Sequence, residues 1–528
     1  MLQDAADITS TTLTADVVVI GAGPAGLVVA SELAESGASV LVLEAGGLPY
    51  DRAERRNTFK AIRDHRSGAQ SLTRGSGSGE PYFPLRLSRA RGLGGSTNAL
   101  RGHGLRGRPM DAVDFGPRFG VEWPVTYDEF ASVLPIAEDY CGMRGDDEGP
   151  LDWSSCALEL GSEVSHNVVA APFRHGRKTQ FTDASLVDSV RAQMSVVTSA
   201  VVVGMDTDGV GRVAGLDVRS LGGNEFRVMA DTYVLATGGI DNARMLLNSR
   251  PLLYLMDGAA DHVGRYFMEH LHYVPAFLIA GSREVAEELG SLVGAEEHPD
   301  HWISLDPDTV RREELLRLAY LPVPVHKESL EPAVPATGEL LRMVPYGPFG
   351  IRGRLRQAAT AAGGLRHIVR AMAARARGGT GGDVFALSVM AEQPPDRASR
   401  VTLSGKIDRM GTPLPHLHWR VGVRDFEDAR RSTELLAAEM GRLGMGRVLS
   451  LWDRGEQRPP VVTGGWHHMG TTRMSSDPDN GVVDANCRLH GVDNMYVAGS
   501  SVFPTSGYAN PTLTLVALAV RLGRHLAL

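Results

Sequence analysis

Two neighbouring histidines near the end of the chain, His467 and His468, are the strongest candidates for proton-transfer chemistry. A neutral imidazole is a suitable general base near pH 7, because its ordinary pKa lies close to that value. Further along the chain, Asn510 precedes Pro511. Asn is a favoured helix N-cap and Pro fits the first helical position, so this pair predicts the start of a helix.

The residues after Pro511 predict a helix with one buried face. Its apolar residues recur at helical spacing: Leu513, Val516, Ala517 and Val520. The N-terminus of such a helix presents free N–H groups and partial positive charge, so it suits an anionic group. Two roles are open for the Asn510 side chain. It can partner His467 through the tertiary fold, or it can cap the helix at the Leu513 N–H.

The N-terminal segment has the pattern of a strand, a helix and a second strand. Residues 16–20 form a β-branched run typical of a buried parallel strand, and a helix is predicted from the following glycines to about Ser36. The second strand, 39–43, ends at Glu44. This is the complete context of a dinucleotide fingerprint, although it does not by itself distinguish FAD from NAD.

Three glycines and one acid have separate tasks in this fingerprint. Gly21 permits a tight turn, Gly23 lets the backbone approach a pyrophosphate, and Gly26 lets the helix pack on the strand. Glu44 can accept hydrogen bonds from the adenosine ribose.

Several motifs together resemble the glucose–methanol–choline (GMC) flavin oxidoreductases. They are His467-x-Met469-Gly470-Thr471-x-Arg473-Met474, Phe503-Pro504-Thr505, Asn510-Pro511-Thr512-Leu513-Thr514 and Arg91-Gly92-Leu93-Gly94-Gly95-Ser96-Thr97-Asn98. The resemblance is strongest to the sugar-oxidising branch: pyranose oxidases, bacterial glycoside 3-oxidases, aminoglycoside-oxidising enzymes and gluconate dehydrogenases. It implies that His467 is the catalytic base, with Asn510 as its partner beside the flavin N5 and His468 as the rival base.

The resemblance also implies FAD as the cofactor. Some pyranose oxidases link the flavin covalently to a His where this chain has Asn98, so non-covalent FAD is predicted. The implied cofactor-binding residues are Gly21, Gly23, Gly26, Glu44, Gly94, Gly95, Ser96, Asn98, Val201, Thr237, Gly238, Gly499, Asn510, Pro511 and Thr512. A glycine turn without a ligand is the other interpretation of residues 91–98. Arg473 is predicted to be structural or a neighbour of the flavin.

His270 and His272 lie in a segment that also matches the family. They have the chemistry of metal ligands, but no third ligand is evident in the sequence. Packing or hydrogen-bonding histidines are therefore predicted, and no metal is expected.

The predicted fold is α/β, with a Rossmann-like FAD-binding domain and an inserted α+β substrate domain built on an antiparallel sheet. The FAD-binding domain is predicted to comprise residues 1–115, 190–280 and 456–528, and the substrate domain 116–189 and 281–455. Predicted strands include 196–197, 201–203, 213–218, 225–229, 232–236 and 385–389, and predicted helices 241–248 and 425–443.

Three further segments have distinctive composition. The Gly/Ser-rich stretch 75–79 is predicted to be part of a loop, and the acidic cluster 146–148 a solvated loop. Residues 351–377 contain arginines but no acids, which predicts a basic amphipathic helix. A surface helix over the substrate domain is favoured over a membrane or partner contact.

Composition limits the class of protein. The 528 residues are 43% hydrophobic and 22% charged, which predicts a soluble globular chain of two domains. The net charge of −8 argues against a nucleic-acid partner. Three unpatterned cysteines, a polar N-terminus without a signal-peptide pattern and no long apolar run predict a cytoplasmic protein without a membrane span.

The predicted reaction is oxidation of a hydroxyl group of a pyranose, glycoside or aminoglycoside intermediate to a carbonyl. O2 or another acceptor would take the electrons, and a homo-oligomer is compatible with the sequence. Two other functions stay open. One is a polyol or aldonate dehydrogenase that passes electrons to a partner protein or quinone. The other is a flavin-binding protein without turnover.

Overall fold

The computed structural model describes residues 1–48, 69–100, 105–144, 151–160, 163–176, 181, 194–292, 300–325, 384–452 and 462–527. The α-helices within these ranges are α1 (Pro24–Glu35), α2 (Ala112–Phe115), α3 (Tyr127–Tyr140), α4 (Gly239–Asn248), α5 (Arg250–Leu255), α6 (Arg283–Ser291), α7 (Pro307–Arg312), α8 (Val423–Arg442) and α9 (Pro511–Leu526). The strands within them are β1 (Leu2–Asp4), β2 (Thr12–Ile20), β3 (Val40–Leu43), β4 (Ser76–Gly79), β5 (Arg106–Gly107), β6 (Cys156–Leu160), β7 (Glu163–His175), β8 (Ser195–Thr198), β9 (Ala200–Thr207), β10 (Val213–Ser220), β11 (Glu225–Leu235), β12 (Leu271–Ala280), β13 (Asp300–Leu305), β14 (Leu318–Pro324), β15 (Val384–Ala391), β16 (Arg400–Ile407), β17 (Pro413–Trp419), β18 (Gly446–Ser450), β19 (Thr463–Gly464) and β20 (Met495–Val497).

A first sheet positions the predicted nucleotide site. Its order is β1-β8-β3-β2-β11-β10-β9, with β20 also paired to β11. The first five strands in this order, β1, β8, β3, β2 and β11, pair in parallel. Helix α1 connects β2 to β3. Residues 17–20 of β2 are buried, as expected for a strand covered on both faces. The predicted α/β fold with its strand–helix–strand beginning is confirmed.

Strand β11 serves two parts of this sheet. The sequence predicted two strands, 225–229 and 232–236, but they form one continuous strand. Its first half pairs antiparallel with β10, and its second half lies in parallel between β2 and β20. The predicted antiparallel ribbon is thus continuous with the core of the sheet.

Helices α1 and α9 pack against each other although they come from opposite ends of the chain. A Cβ at Gly523 would lie 2.6 Å from the Glu32 Cβ, so glycine allows this close approach. The predicted apolar face of α9 is buried, because Leu513, Val516 and Val520 are at most 1% exposed. The start of α9 is thereby fixed relative to the glycine loop before α1.

A second, antiparallel sheet has the order β18-β12-β15-β14-β13-β7-β5, with β6 on β7 and β19 on β12. Helix α8 packs against β7, β12 and β18. Strand β12 belongs to this sheet, although the predicted domain boundaries place residues 271–280 with the nucleotide-binding part. The division of the chain into domains stays a prediction.

The prediction of a loop at 75–79 was wrong. Residues 76–79 form β4, which pairs in parallel with β17 in a three-stranded sheet with β16. A Cβ at Gly79 would lie 2.1 Å from the Trp419 carbonyl oxygen, so only glycine permits this approach. The Ser76 and Ser78 hydroxyls also contact the His416 ring, each at 2.8 Å.

Two predicted segments, 146–148 and 351–377, lie outside the described residues. Within the described part of the chain, no helix is both long and apolar enough to cross a membrane.

Candidate active site

A cavity of about 470 Å³ opens at the C-terminal ends of β2, β3 and β11. This edge is where ligands bind in parallel α/β sheets, and the volume is in the range of cofactor sites. The predicted cofactor-binding residues that line it are Gly21, Gly23, Glu44, Gly95, Ser96, Val201, Thr237, Gly238, Gly499, Pro511 and Thr512. The other four, Gly26, Gly94, Asn98 and Asn510, are not part of its lining. His467 and His468 both line it.

The first glycine loop forms a cradle at the start of α1. A Cβ added at Gly23 would meet nothing within 4 Å, so open space lies directly at the helix N-terminus. At Gly26 the added Cβ would lie 2.0 Å from the Gly21 carbonyl oxygen, so this glycine serves close packing of helix on strand. Gly21 has a φ of 106°, which a turn of this kind requires. The cradle fits a diphosphate approaching free N–H groups.

Glu44 joins three loops through its carboxylate. Its oxygens accept hydrogen bonds from the backbone N–H groups of Ala22 at 2.9 Å, Gly46 at 2.8 Å and Gly92 at 2.9 Å. A carboxylate has about four acceptor positions. One position therefore remains for a ribose hydroxyl on the cavity side.

The second glycine loop packs on the first. The Gly94 N–H donates to the Ala22 carbonyl at 2.8 Å, and a Cβ at Gly95 would lie 2.9 Å from the Gly23 Cα. The Asn98 amide donates to the carbonyls of Leu93 and Gly95, each at 2.8 Å. Asn98 thus closes the loop through hydrogen bonds, while Gly95 and Ser96 face the cavity.

A buried cluster of charges forms another wall, and the sequence analysis did not identify it. Asp241 pairs with Arg89 at 2.5 Å, with Arg91 at 3.4 Å and with Arg244 at 3.5 Å. Arg244 also pairs with Asp408 at 2.6 Å. Burial alone would raise the pKa of Asp241, but the three arginines lower it below its ordinary value. The cluster carries one net positive charge beside the cavity.

The structure brings Asn510 together with His467, which lines the cavity. The Asn510 Nδ2 lies 3.4 Å from the His467 Nε2. The Asn510 side chain makes no cap hydrogen bond to α9, although Asn510 is the N-cap residue. Of the two roles open for this amide, capping at Leu513 is therefore wrong.

A third residue, His270, completes this centre, although the sequence analysis did not place it beside His467. It is fully buried, and its Nδ1 lies 2.8 Å from the His467 Nδ1. Its Nε2 faces the carbonyl oxygens of Ser506 at 3.2 Å and Gly507 at 3.0 Å. His270 is thus a hydrogen-bonding histidine, as one of the two sequence interpretations stated.

Both imidazoles of this pair are neutral near pH 7. Loss of solvation, together with the neighbouring His270, His272 and His468, lowers the pKa of His467 well below its ordinary value. Burial lowers the pKa of His270 to about 4, although its two carbonyl contacts oppose this shift. Each ring therefore carries one proton on one nitrogen.

Glu269 lies beneath the pair and was missed by the sequence analysis as well. Its Oε1 accepts hydrogen bonds from the backbone N–H groups of His467 at 2.7 Å and His270 at 3.0 Å. Its Oε2 accepts from the Tyr82 hydroxyl, whose oxygen lies 2.9 Å from the His468 Nε2. Complete burial raises the pKa of Glu269 to about 7, despite these hydrogen bonds.

The two neighbouring histidines therefore have different surroundings. His467 faces Asn510 and His270, whereas His468 contacts Tyr82. Burial, with a smaller contribution from Arg89, lowers the pKa of His468 to about 3.

Arg473 and His272, the remaining candidates from the sequence, contact other protein groups. The Arg473 guanidinium lies 3.5 Å from the centre of the Tyr266 ring, and its Nε donates to the Asn480 carbonyl at 2.9 Å. The His272 and His467 rings lie 6.1 Å apart. Among the residues that the structure describes, no cluster of His, Cys, Asp and Glu could hold a metal ion.

Two known protein families match parts of this chain. Residues 15–268 match the pyridine nucleotide-disulphide oxidoreductase family, and residues 394–519 match the GMC oxidoreductase family. The first match contains the glycine cradle and Glu44, and the second contains His467 and Asn510. Together they define an oxidoreductase built on a dinucleotide-binding fold.

Several relatives match almost the whole chain. The 6'''-hydroxyparomomycin C oxidase of Streptomyces lividus is 26% identical over 97% of this chain and 91% of its own length. The 2-methyl-1,2-propanediol dehydrogenase of Mycolicibacterium austroafricanum is 24% identical over 97% of this chain and 95% of its own length. The C-glycoside 3-oxidase of Arthrobacter globiformis is 34% identical, but over only 28% of this chain and 27% of its own length.

Solved structures agree on the fold. Pyridoxine 4-oxidase from Mesorbium loti has a TM-score of 0.57 at 18% identity and covers 97% of this chain and 98% of its own. A formate oxidase has a TM-score of 0.57 at 16% identity and covers 98% of each chain.

The chain is similar to the GMC oxidoreductases, as its sequence motifs implied. It is an FAD-dependent alcohol oxidoreductase. The residues present fit this cofactor, because a glycine cradle, an acid with a free acceptor position and an uncapped helix N-terminus line one continuous cavity.

Proposed function

We propose that this enzyme oxidises a hydroxyl group of a sugar or a sugar-containing compound to a carbonyl. Relatives with the names 6'''-hydroxyparomomycin C oxidase, paromamine 6'-oxidase and C-glycoside 3-oxidase support this substrate class. The matched segments supply a nucleotide cavity lined by His467, whose ring contacts the Asn510 amide.

The juxtaposition of His467 and Asn510 carries this proposal. Oxidising an alcohol removes the hydroxyl proton and a hydride from the same carbon. When bound, FAD supplies the hydride acceptor at its N5 atom. The neutral His467 takes the hydroxyl proton on Nε2, and the Asn510 Nδ2 donates a hydrogen bond to the substrate oxygen. Because the two nitrogens lie 3.4 Å apart, one oxygen can bind both.

The cofactor-binding roles are proposed from the lining of the cavity. Gly23 and Gly95 border the space for the diphosphate, and Glu44 accepts a ribose hydroxyl. The start of α9 offers the N–H groups around Thr512 to the electron-rich edge of the flavin ring, since no side chain caps this helix.

Anaerobic bleaching of the flavin absorbance tests the proposed substrate class. The purified yellow protein is mixed with a panel of pyranoses, glycosides and aminoglycosides, and simple diols serve as controls. At least one sugar-containing compound should bleach the flavin faster than every diol. Bleaching by diols alone would assign the enzyme to another alcohol class. No bleaching by any alcohol would leave a flavin-binding protein without turnover.

A dehydrogenase is the second candidate, because relatives include a diol dehydrogenase and a fructose dehydrogenase large subunit. The two candidates differ in how the reduced flavin is reoxidised. An oxidase releases peroxide in air, whereas a dehydrogenase turns over only with a quinone or dye acceptor. The acceptor, the cytoplasmic location and a homo-oligomeric state stay predictions.

A further inference from the structure

The contacts of His270 fix the position of its ring proton. Its Nε2 faces two backbone carbonyl oxygens, of Ser506 at 3.2 Å and of Gly507 at 3.0 Å. A carbonyl oxygen only accepts hydrogen bonds, so Nε2 must carry the proton and donate it. The neutral ring has no second proton, so its Nδ1 presents a lone pair.

This lone pair determines the proton position of the next ring. The His270 Nδ1 lies 2.8 Å from the His467 Nδ1, and two lone pairs would repel at that distance. His467 must therefore donate from Nδ1. Its Nε2 then holds the free lone pair, directed at the Asn510 amide 3.4 Å away. A ring of the opposite tautomer would point an N–H at that amide and could not act as a base from Nε2.

We propose that His270 is a positioning residue that fixes His467 as the Nδ1–H tautomer, and so keeps its Nε2 free to take the substrate proton. The inference rests on the proposed role of His467 as the base. The series of hydrogen bonds that orients the two rings begins at the carbonyl oxygens of Ser506 and Gly507. These two residues lie in the chain segment just before Asn510. The same segment therefore sets both the tautomer of the base and the location of its partner.

Glu269 keeps the two rings in register. Its Oε1 accepts from the backbone N–H groups of both His270 and His467, at 3.0 and 2.7 Å. One buried oxygen thus fixes the separation of the two main chains from which the rings project. Rotation of either ring away from the other would leave a buried nitrogen without a partner, which is unfavourable.

Two substitutions at position 270 separate a tautomer effect from a packing effect. In His270→Asn, the amide oxygen occupies the place of Nδ1 and still accepts from His467, while the bonds to the carbonyls are lost. In His270→Gln, the amide nitrogen occupies the place of Nε2 and keeps a carbonyl bond, while the acceptor towards His467 is lost. Each variant loses hydrogen bonds, but only the Gln variant releases the His467 tautomer.

The limiting rate of anaerobic flavin reduction in the holoenzyme gives the first readout. We expect His270→Gln to lose about 100-fold, since orienting partners of histidines have effects of this size, with little change in substrate affinity. His270→Asn should retain most of the rate. Equal losses in both variants would overturn the proposal, because packing alone would then explain the role of His270.

A second readout needs no substrate. In holoenzyme with 15N-labelled histidine, the ring nitrogen shifts of His467, assigned by its absence in His467→Ala, report which nitrogen carries the proton. The wild type should show a protonated Nδ1 and an unprotonated Nε2. A proton on Nε2 would overturn the inference even if His467 is the base. The wild type could also show the expected tautomer while no alcohol bleaches its flavin. That result would contradict only the proposed function.

Discussion

The two ends of the cavity are built in different ways. At the nucleotide end, the cradle is built from backbone groups of two glycine loops, at residues 21–26 and 92–98. At the histidine end, the contacts are made by side chains, and these come from separate segments of the chain. The contributing side chains are Tyr82, Glu269, His270, His467 and Asn510.

This difference determines how each end should fail. A backbone cradle has no side chain to remove, so it is disrupted by added atoms. A side-chain centre is disrupted by removed atoms and should leave the cradle intact. Cofactor binding and chemistry are therefore expected to separate cleanly by mutation.

The largest effect is expected for Gly26→Ala. The added Cβ would lie 2.0 Å from the Gly21 carbonyl oxygen, so α1 cannot pack on β2 and the protein should lose bound FAD and much of its stability. In Gly23→Ala the Cβ meets no protein atom, so the fold should survive while FAD affinity falls by at least about tenfold.

Flavin absorbance and the Tm of the apoprotein measure the two losses separately. Gly441→Ala, at an exposed helical position where a Cβ meets nothing, is the matched control. It should leave FAD binding unchanged and should not lower the Tm, because alanine favours a helix more than glycine does. Full FAD binding by Gly23→Ala would place the diphosphate elsewhere.

The next effect is expected at the base. His467→Ala should slow anaerobic flavin reduction by about 10²- to 10⁴-fold, the usual contribution of a general base, while FAD stays bound. Stopped-flow absorbance measures this rate. His468→Ala is the control, because His468 contacts Tyr82 rather than Asn510. If the His468 variant loses more activity than the His467 variant, His468 is the base and the assignment to His467 is wrong.

Glu269 should produce a pH-dependent effect on stability. Its pKa is about 7 in the folded protein and 4.5 in the reference state. A raised carboxyl pKa contributes stability below pH 4.5 that is lost as the pH rises through 7, on the order of 3 kcal/mol.

Glu269→Gln is permanently neutral, so it should gain stability relative to the wild type between pH 5 and pH 8. The free energy of unfolding of both proteins is measured at pH 5 and at pH 8. Any stability lost with the contact to Tyr82 is the same at both pH values, so it cancels in the comparison. A constant difference between the two proteins would mean that Glu269 does not titrate in this range.

The smallest effect is expected for Asn510→Ala. Flavin reduction should slow by about tenfold, since one hydrogen bond to the substrate oxygen is lost. Stability should be unchanged, because the Asn510 side chain makes no cap bond, whereas removal of an N-cap typically costs about 1 kcal/mol. A drop in Tm with an unchanged rate of flavin reduction would mean that this amide caps the helix and does not bind the substrate.

The nucleotide end was predictable because its information is local. The spacing of Gly21, Gly23 and Gly26 between two β-branched strands predicted the turn, the cradle and the packing contact. The start of α9 at Pro511 was equally local, since Asn-Pro followed by helical spacing marks a helix N-terminus. Periodicity also predicted the buried strands and the apolar face of α9.

The histidine end was only partly predictable, because its contacts are set by packing between distant segments. Resemblance to the family indicated His467 and Asn510, but not the hydrogen bonds that orient them. Tyr82 lay in a polar stretch without a pattern, and Glu269 had only its place beside His270 in a family-like segment. Strand β4 was missed because its pairing with β17 depends on glycines that sequence statistics assign to turns.

The packing of α9 on α1 has a consequence for biosynthesis. The cavity wall extends from Ile20 to Leu515, so a growing chain cannot enclose a nucleotide until α9 has been synthesised. An intermediate in which α9 has not yet docked would expose the apolar surface of α1 to chaperones.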